Sequence, residues 1–251
     1  MPTIIRKFGA GAVFSDSLVL DLEPGIAWPL DRLLGAYRMK ISAARSASPK
    51  AGVWPALTQG SNGTISYTDR SVKVTSAQAI ALGVTFPLDE LTCCVVFKQD
   101  QKSHKGLCGV SNGSAVENLF GIYTSSNSAL IRARFGNSPE APLQIPFDGG
   151  ERWEMAFCSF KRHVSGTADA PVGEIKLYRP RTGTLVSGTF TEVAKPNSSF
   201  RVFGFSGMSS LFGGETEMAL SSHWNAVLSQ QAMDDLYASA KASLAAGGVT
   251  I

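Results

Sequence analysis

The stretch EMALSSHWNAVLSQQAMDDLY, Glu217 to Tyr237, changes its hydrophobic period partway along. Its first residues continue a short strand, Thr216 to Leu220, and a short polar link follows. From Ser229 onward the apolar residues Met233, Leu236, Tyr237 and Ala240 recur at i, i+3, i+4 and i+7, with Ala232 beside them, which is helical spacing. Ser229 stands at the N-cap position, where a hydroxyl satisfies an unpaired amide of the first turn, and Gly247-Gly248 follow the end of a helix over 229–245. Asp234 and Asp235 lie early in that helix, where its dipole tolerates negative charge. Trp224 and Val227-Leu228 are placed to anchor the link on a core.

Working back from this segment, the rest of the chain reads as strands. Leu91–Lys98 (LTCCVVFK) and Trp153–Phe160 (WEMAFCSF) are continuous apolar runs of strand length, expected at the centre of a sheet covered on both faces. Glu174–Tyr178 alternates, as do Ile65 and Tyr67, and Val72 and Val74 after a turn at Asp69-Arg70. Ile80–Phe86 and Phe200–Phe205 add further short runs. Leu107–Val110, Asn118–Thr124 and Ala129–Phe135, separated by Ser- and Asn-rich turns, predict a meander. Residues 1–60 are less regular. A helical turn near Asp31–Tyr37, capped by Asp31, and a polar loop over Ser42–Lys50 are expected there, as an N-terminal arm that docks on a neighbour or forms part of the sandwich. No repeat or linker divides residues 61–251, which read as one domain.

Composition agrees with this. Of 251 residues 44% are apolar and only 17% charged, enough for a large core and too little charge for a disordered chain. The 25 glycines and 12 prolines are spread along the chain as turn residues. A net charge of +3, with one modest cluster of Arg132, Arg134, Arg152, Lys161 and Arg162, gives no nucleic-acid footprint. No apolar run is long enough for a membrane span, and the start lacks the pattern of a secretory leader. Cys93 and Cys94 are adjacent on a strand and point to opposite faces, so the four cysteines are expected as buried thiols. Cys108, Cys158, His104, His163 and His223 do not have zinc-ligand spacing.

In this order the elements resemble the concanavalin A-like lectin/glucanase (laminin G-like) superfamily over roughly Gly60 to Ala240. LTCCVVFK is similar to its first long core strand, and Gly150–Phe160 (GERWEMAFCSF) to its glycine-tryptophan-apolar strand. Phe203–Gly207 (FGFSG) is similar to its glycine-containing strand, and Glu217–Tyr237 to its closing strand and helix. The resemblance implies an all-β, concanavalin A-like jelly-roll sandwich of two antiparallel sheets with a short C-terminal helix.

It also implies where chemistry would sit. Hydrolases of the superfamily alternate acids along one strand, and Glu215 and Glu217 share a strand face in the matching place. Ala219 stands where a third acid is needed, so catalysis by this pair is not expected. Calcium-binding lectins cluster loop acids and amides, whereas Asp100 with Gln101, Asp148 and Asp169 are isolated, so no metal or other cofactor is expected. His104 reads as a turn residue, His163 as a strand end and His223 as a polar neighbour of Trp224. Trp54, Tyr67 and Tyr123, with Trp28, are the aromatic candidates for glycan contact.

Three functions are compatible with these residues. The leading expectation, which explains a lectin-like sandwich without leader, membrane span or disulfides, is a non-enzymatic structural or attachment protein of a bacteriophage particle, made in the host cytoplasm. It would contact other virion proteins through its N-terminal segment, form a homo-oligomer and bind host-surface glycan, with neither nucleic acid nor membrane as partner. A free-standing carbohydrate-binding protein is the alternative, and a divergent glycoside hydrolase is the third.

Overall fold

The structure is a computed structural model that describes residues 25–40, 46, 50–52, 57–59, 64–74, 80–85, 89–100, 104–111, 119–125, 130–135, 143–147, 150–167, 171–191, 199–202 and 214–251. Among these, two antiparallel sheets and one long helix make an all-β sandwich. Strands are numbered in chain order. The nine-stranded sheet runs β14 (Thr184–Thr191), β13 (Pro171–Arg179), β12 (Arg152–Gly166), β7 (Glu90–Gln99), β16 (Thr216–Trp224), β1 (Leu33–Arg38) and β2 (Ala51–Gly52). In the same sheet β5 (Val72–Val74) also pairs with β16, and β4 (Ile65–Tyr67) pairs with β5. The seven-stranded sheet runs β11 (Leu143–Pro146), β10 (Leu130–Phe135), β9 (Leu119–Ser125), β8 (Lys105–Ser111), β15 (Ser199–Val202), β6 (Ile80–Thr85) and β3 (Thr58–Gln59). β8, β9 and β10 are sequential neighbours, the meander read from their turns, and β11, not expected from the sequence, extends it by one strand.

β7 is central because both of its faces are apolar. Leu91, Cys93, Val95 and Phe97 enter the core between the sheets, while Cys94 and Val96 enter a second cluster on the opposite face. The inter-sheet core includes an edge-to-face contact of Phe120 with Phe160 at 4.4 Å between ring centres. The second cluster lies under helix α1 (Gln230–Ala246), which lays Met233, Leu236, Ala240 and Leu244 on Val96, Phe157 and Trp224. All four cysteines are free and buried, and Cys93 and Cys94 fall in different clusters as their alternation requires.

The turn into α1 is held at several points. Trp224 is fully buried and donates from Nε1 to the Pro29 carbonyl at 2.7 Å. The Thr92 hydroxyl donates to the Ala226 carbonyl at 2.7 Å and accepts from the Leu228 amide at 3.1 Å. Ser229 Oγ accepts from the Ala232 amide at 3.2 Å, which is the cap its position predicts. The Tyr178 hydroxyl donates to the Asp234 carboxylate, and burial together with this contact pushes that phenol up to about 12.

Two expectations are corrected. Asp31–Tyr37 is not a helical turn: Leu33–Arg38 forms β1, paired with β16 on one side and β2 on the other. A register shift between Leu33 and Gly35 breaks the alternation, so Leu33 and Ala36 go to one cluster and Leu34 and Tyr37 to the other. The resulting apolar spacing imitates a helix. This part of the N-terminal segment therefore belongs to the sandwich. The polar link expected after Leu220 is also absent, since β16 continues through Ser221, Ser222 and His223 to Trp224 with all of them buried. Phe203–Gly207 lies outside the described residues.

Charge ties the two sheets together. Glu154 on β12 is fully buried and accepts from Arg179 Nε and Nη2 at 3.1 and 2.7 Å and from Arg152 Nε at 2.5 Å. Arg179, on β13, also donates from Nη1 to the carbonyl of Pro146 on β11 at 3.0 Å and lies 5.6 Å from the centre of the Phe147 ring. One guanidinium thus neutralises a buried carboxylate and crosses from sheet to sheet.

Candidate functional site

The alternation that buries Met218 turns Glu217 to the other face of β16, and the residues that bury Val72 and Val74 turn Lys73 the same way. Glu217 stands opposite Lys73 in the β16–β5 register, and the Met218–Phe97 pair puts Lys98 next to it on β7. Glu151, ahead of β12, and Asp100 and Lys105, on either side of the β7–β8 connection, complete the lining. Together with Glu215 they enclose a depression of about 140 Å³.

Its geometry is a set of paired charges. Lys73 Nζ lies 2.8 Å from Glu215, Lys98 Nζ lies 2.5 Å from Glu151 and 3.8 Å from Glu217, and Lys105 Nζ lies 2.7 Å from Asp100. Glu217 also accepts from the Ser71 hydroxyl at 2.5 Å. The contact with Glu215 raises Lys73 above the usual lysine range and that with Glu151 raises Lys98, so both remain ammonium groups at neutral pH. Three ammonium groups and four carboxylates thus line one open cleft. Trp153, half-buried, stands opposite Lys98 on β12 and packs on the helix-side cluster.

Glu215 and Glu217 do share this site, as the strand spacing predicts, but each is committed to a lysine. Asp100 is paired with Lys105, and no group of three metal-ligating side chains occurs among the described residues. Gln101, Asp148, Asp169 and Trp54 lie outside them. Tyr67 is half-buried against the inter-sheet core, where burial raises its phenol, and Trp28 packs on the helix-side cluster. Tyr123 is 4% exposed, which leaves its ring no free face for a sugar. The cluster of basic residues expected from the sequence does not form one patch, because Arg152 is held by Glu154, and Lys161 by Glu90 at 2.9 Å.

His223 departs from its expectation. It is fully buried, with Nε2 2.9 Å from Ser221 Oγ, and burial depresses the imidazole to about 3. A serine–histidine contact sealed in a core offers no approach to a substrate. His163 takes a left-handed conformation, φ 54°, at the register shift in β12, and His104 accepts the Gly214 amide on its carbonyl at 3.2 Å. Lys73, Lys98, Lys105, Glu151 and Trp153 were not singled out by sequence. Their common signal is a charged or aromatic residue breaking or flanking an apolar strand, and register alone brings them together.

The same sandwich occurs in sialidase of Trypanosoma rangeli in complex with 2,3-difluorosialic acid, with a TM-score of 0.57 at 12% identity over 82% of this chain and 33% of that one. A T. rangeli sialidase mutant displaying trans-sialidase activity matches with a TM-score of 0.57 at 12% identity over 88% and 34%. The ligand-binding domain of botulinum neurotoxin serotype D, in complex with N-acetylneuraminic acid, matches with a TM-score of 0.53 at 12% identity over 83% and 51%. This chain thus spans about a third of the sialidases and half of the toxin chain. At these identities the likeness establishes a lectin-like β-sandwich fold. It adds nothing toward a place on a bacteriophage particle. No family model and no curated protein sequence matches the chain.

Proposed function

We propose that the chain is a non-catalytic carbohydrate-binding module and that the cleft between Lys73, Lys98, Glu215 and Glu217 holds its ligand. The observation that carries this is the lining, paired ammonium and carboxylate groups in an open depression, with Trp153 opposite the lining Lys98 in the β12–β7 register. Sugars present many hydroxyls that both donate and accept, and a surface alternating the two kinds of partner, beside an aromatic, suits them. A hydrolase needs one carboxylate as nucleophile and another that keeps a proton, about 5 Å apart in a retaining enzyme. Here both strand carboxylates are used as acceptors by Lys73, Lys98 and Ser71. The shared fold supports the reading too, because the toxin domain that has it is seen with N-acetylneuraminic acid.

The test is a glycan array followed by calorimetry on the glycans it selects. Saturable binding is expected, weakened about tenfold or more in Lys98→Ala and in Trp153→Ala. Release of reducing sugar by the unmutated chain, lost in Glu217→Gln, would instead establish the hydrolase.

A further inference from the structure

We propose that the cleft selects sugars by charge and takes an amino sugar, whose ammonium pairs with Glu217. The proposal rests on the carbohydrate-binding reading and names the ligand class of that same site. The lining sets Lys73, Lys98 and Lys105 against Asp100, Glu151, Glu215 and Glu217, one carboxylate more than there are ammonium groups. Three of the carboxylates are matched one to one at hydrogen-bond distance: Glu215 with Lys73 at 2.8 Å, Glu151 with Lys98 at 2.5 Å and Asp100 with Lys105 at 2.7 Å. Glu217 is the fourth. The lysine that reaches it, Lys98, has its hydrogen bond on Glu151 and lies 3.8 Å from Glu217 Oε2, near enough for attraction and too far for a hydrogen bond.

The other oxygen of Glu217 is fixed from below. Ser71, fully buried, donates to Oε1 at 2.5 Å, and the Thr68 hydroxyl lies 2.8 Å from that of Ser71. Two uncharged hydroxyls therefore orient this carboxylate without neutralising it. Oε2 has no hydrogen-bond donor among the described residues and is not sealed from solvent, and the Glu217 side chain keeps 21% of its surface exposed, so a ligand can reach it. An ammonium placed on Oε2 makes a charge-assisted hydrogen bond, about twice as strong as one from a neutral hydroxyl, and cancels the surplus charge of the lining. A neutral sugar donates a hydroxyl there and leaves the surplus standing. A carboxylated sugar adds to it, and finds each ammonium of the cleft already held by a nearer carboxylate. The cleft thus ranks an amino sugar above its neutral counterpart and the neutral sugar above an acidic one.

The experiment titrates the full chain by NMR with methyl β-D-glucosaminide, methyl β-D-glucoside and methyl β-D-glucuronide, at low salt and about pH 6, where the sugar amine carries its proton. The glucosaminide is expected to bind about threefold to tenfold tighter than the glucoside, the glucuronide more weakly than either, and the difference to shrink as salt is added. Butylammonium, an amine without a ring, is expected to bind more weakly than the glucosaminide. Glu217→Gln keeps the shape and an acceptor for Ser71 and is expected to erase the preference for the amine. Lys98→Gln removes an ammonium and is expected to widen that preference even as overall binding weakens, an effect that a damaged fold would not produce. Equal affinity for glucosaminide and glucoside, tightest binding of the glucuronide, butylammonium as tight as the glucosaminide, a preference that survives in Glu217→Gln, or one that narrows in Lys98→Gln overturns the proposal. If none of the glycosides binds, the carbohydrate-binding reading fails and the proposal with it. If glucosaminide and glucoside bind equally and Lys98→Gln weakens both, the cleft reading stands and the selection by charge alone fails.

Discussion

Arg179→Met removes the one side chain that neutralises Glu154 in bidentate fashion and crosses between the sheets. Glu154 has no exposed surface, so its charge is left in the core with Arg152 Nε at 2.5 Å and the half-exposed Arg181 at 3.7 Å. Breaking a buried pair from one side costs about 3–5 kcal/mol, and the remaining Arg152 contact favours the lower end, about 3 kcal/mol. The bond to the Pro146 carbonyl and the contact with the Phe147 ring add about 1 kcal/mol. A chain of this length loses about 2–4 °C of melting temperature per kcal/mol, so Arg179→Met is expected to melt about 8–16 °C lower by circular dichroism. Glu154→Gln is expected to cost a similar amount, and the double variant less than the sum of the two, with a coupling of at least about 1.5 kcal/mol. A loss under about 1 kcal/mol for Arg179→Met, or strict additivity, refutes the claim that these charges act as one unit. Glu151 directly precedes β12, so the variant is also expected to loosen the Lys98–Glu151 contact and weaken glycan binding.

His223 is neutral in the fold and charges readily once unfolded, its pKa falling from 6.5 to about 3 by burial. A depressed histidine contributes stability above pH 6.5 that is lost as the pH falls toward 3, at up to about 1.4 kcal/mol per unit. His223→Gln is expected to flatten that limb of the stability curve, and an unchanged acid limb counts against it. A Cβ at Gly173 would lie 2.1 Å from the Phe190 ring, its cross-strand partner, so Gly173→Ala is expected to cost about 1–3 kcal/mol by denaturant titration. Phe190→Leu should relieve part of that cost, and a Gly173→Ala chain as stable as the parent would show that the ring moves freely. Cys93, Cys94 and Cys158 are fully buried with thiols raised by desolvation, so a thiol reagent should modify them only at the rate of unfolding. Rapid labelling of the native chain would contradict this.

Several features were legible because they are local. LTCCVVFK is β7 at the sheet centre, since a run apolar on both faces has to be covered on both. Ser229 caps α1, since the hydroxyl and the amide it satisfies are three residues apart. Leu33–Arg38 was misread because a bulge adds a residue to the period of 2, and the pairing that produces the bulge is with β16, nearly two hundred residues away in sequence. Tyr123 is in an alternating strand, as expected, and its burial follows from tertiary packing. Glu215 and Glu217 could be placed together from their i, i+2 spacing, whereas the lysines that claim them come from β5 and β7.

By itself, then, the sequence determined the elements that rest on spacing and propensity: the long core strands, the meander, the closing strand and capped helix, and from their order the sandwich. Tertiary structure alone decided which charges meet. Strand order and register put Lys73, Glu217, Lys98 and Glu151 side by side across β5, β16, β7 and the start of β12, and closed Arg179 over Glu154. The reason is that side-chain period is a property of one strand, while electrostatic partners are chosen by neighbouring strands about 5 Å away in space and scores of residues away in the chain.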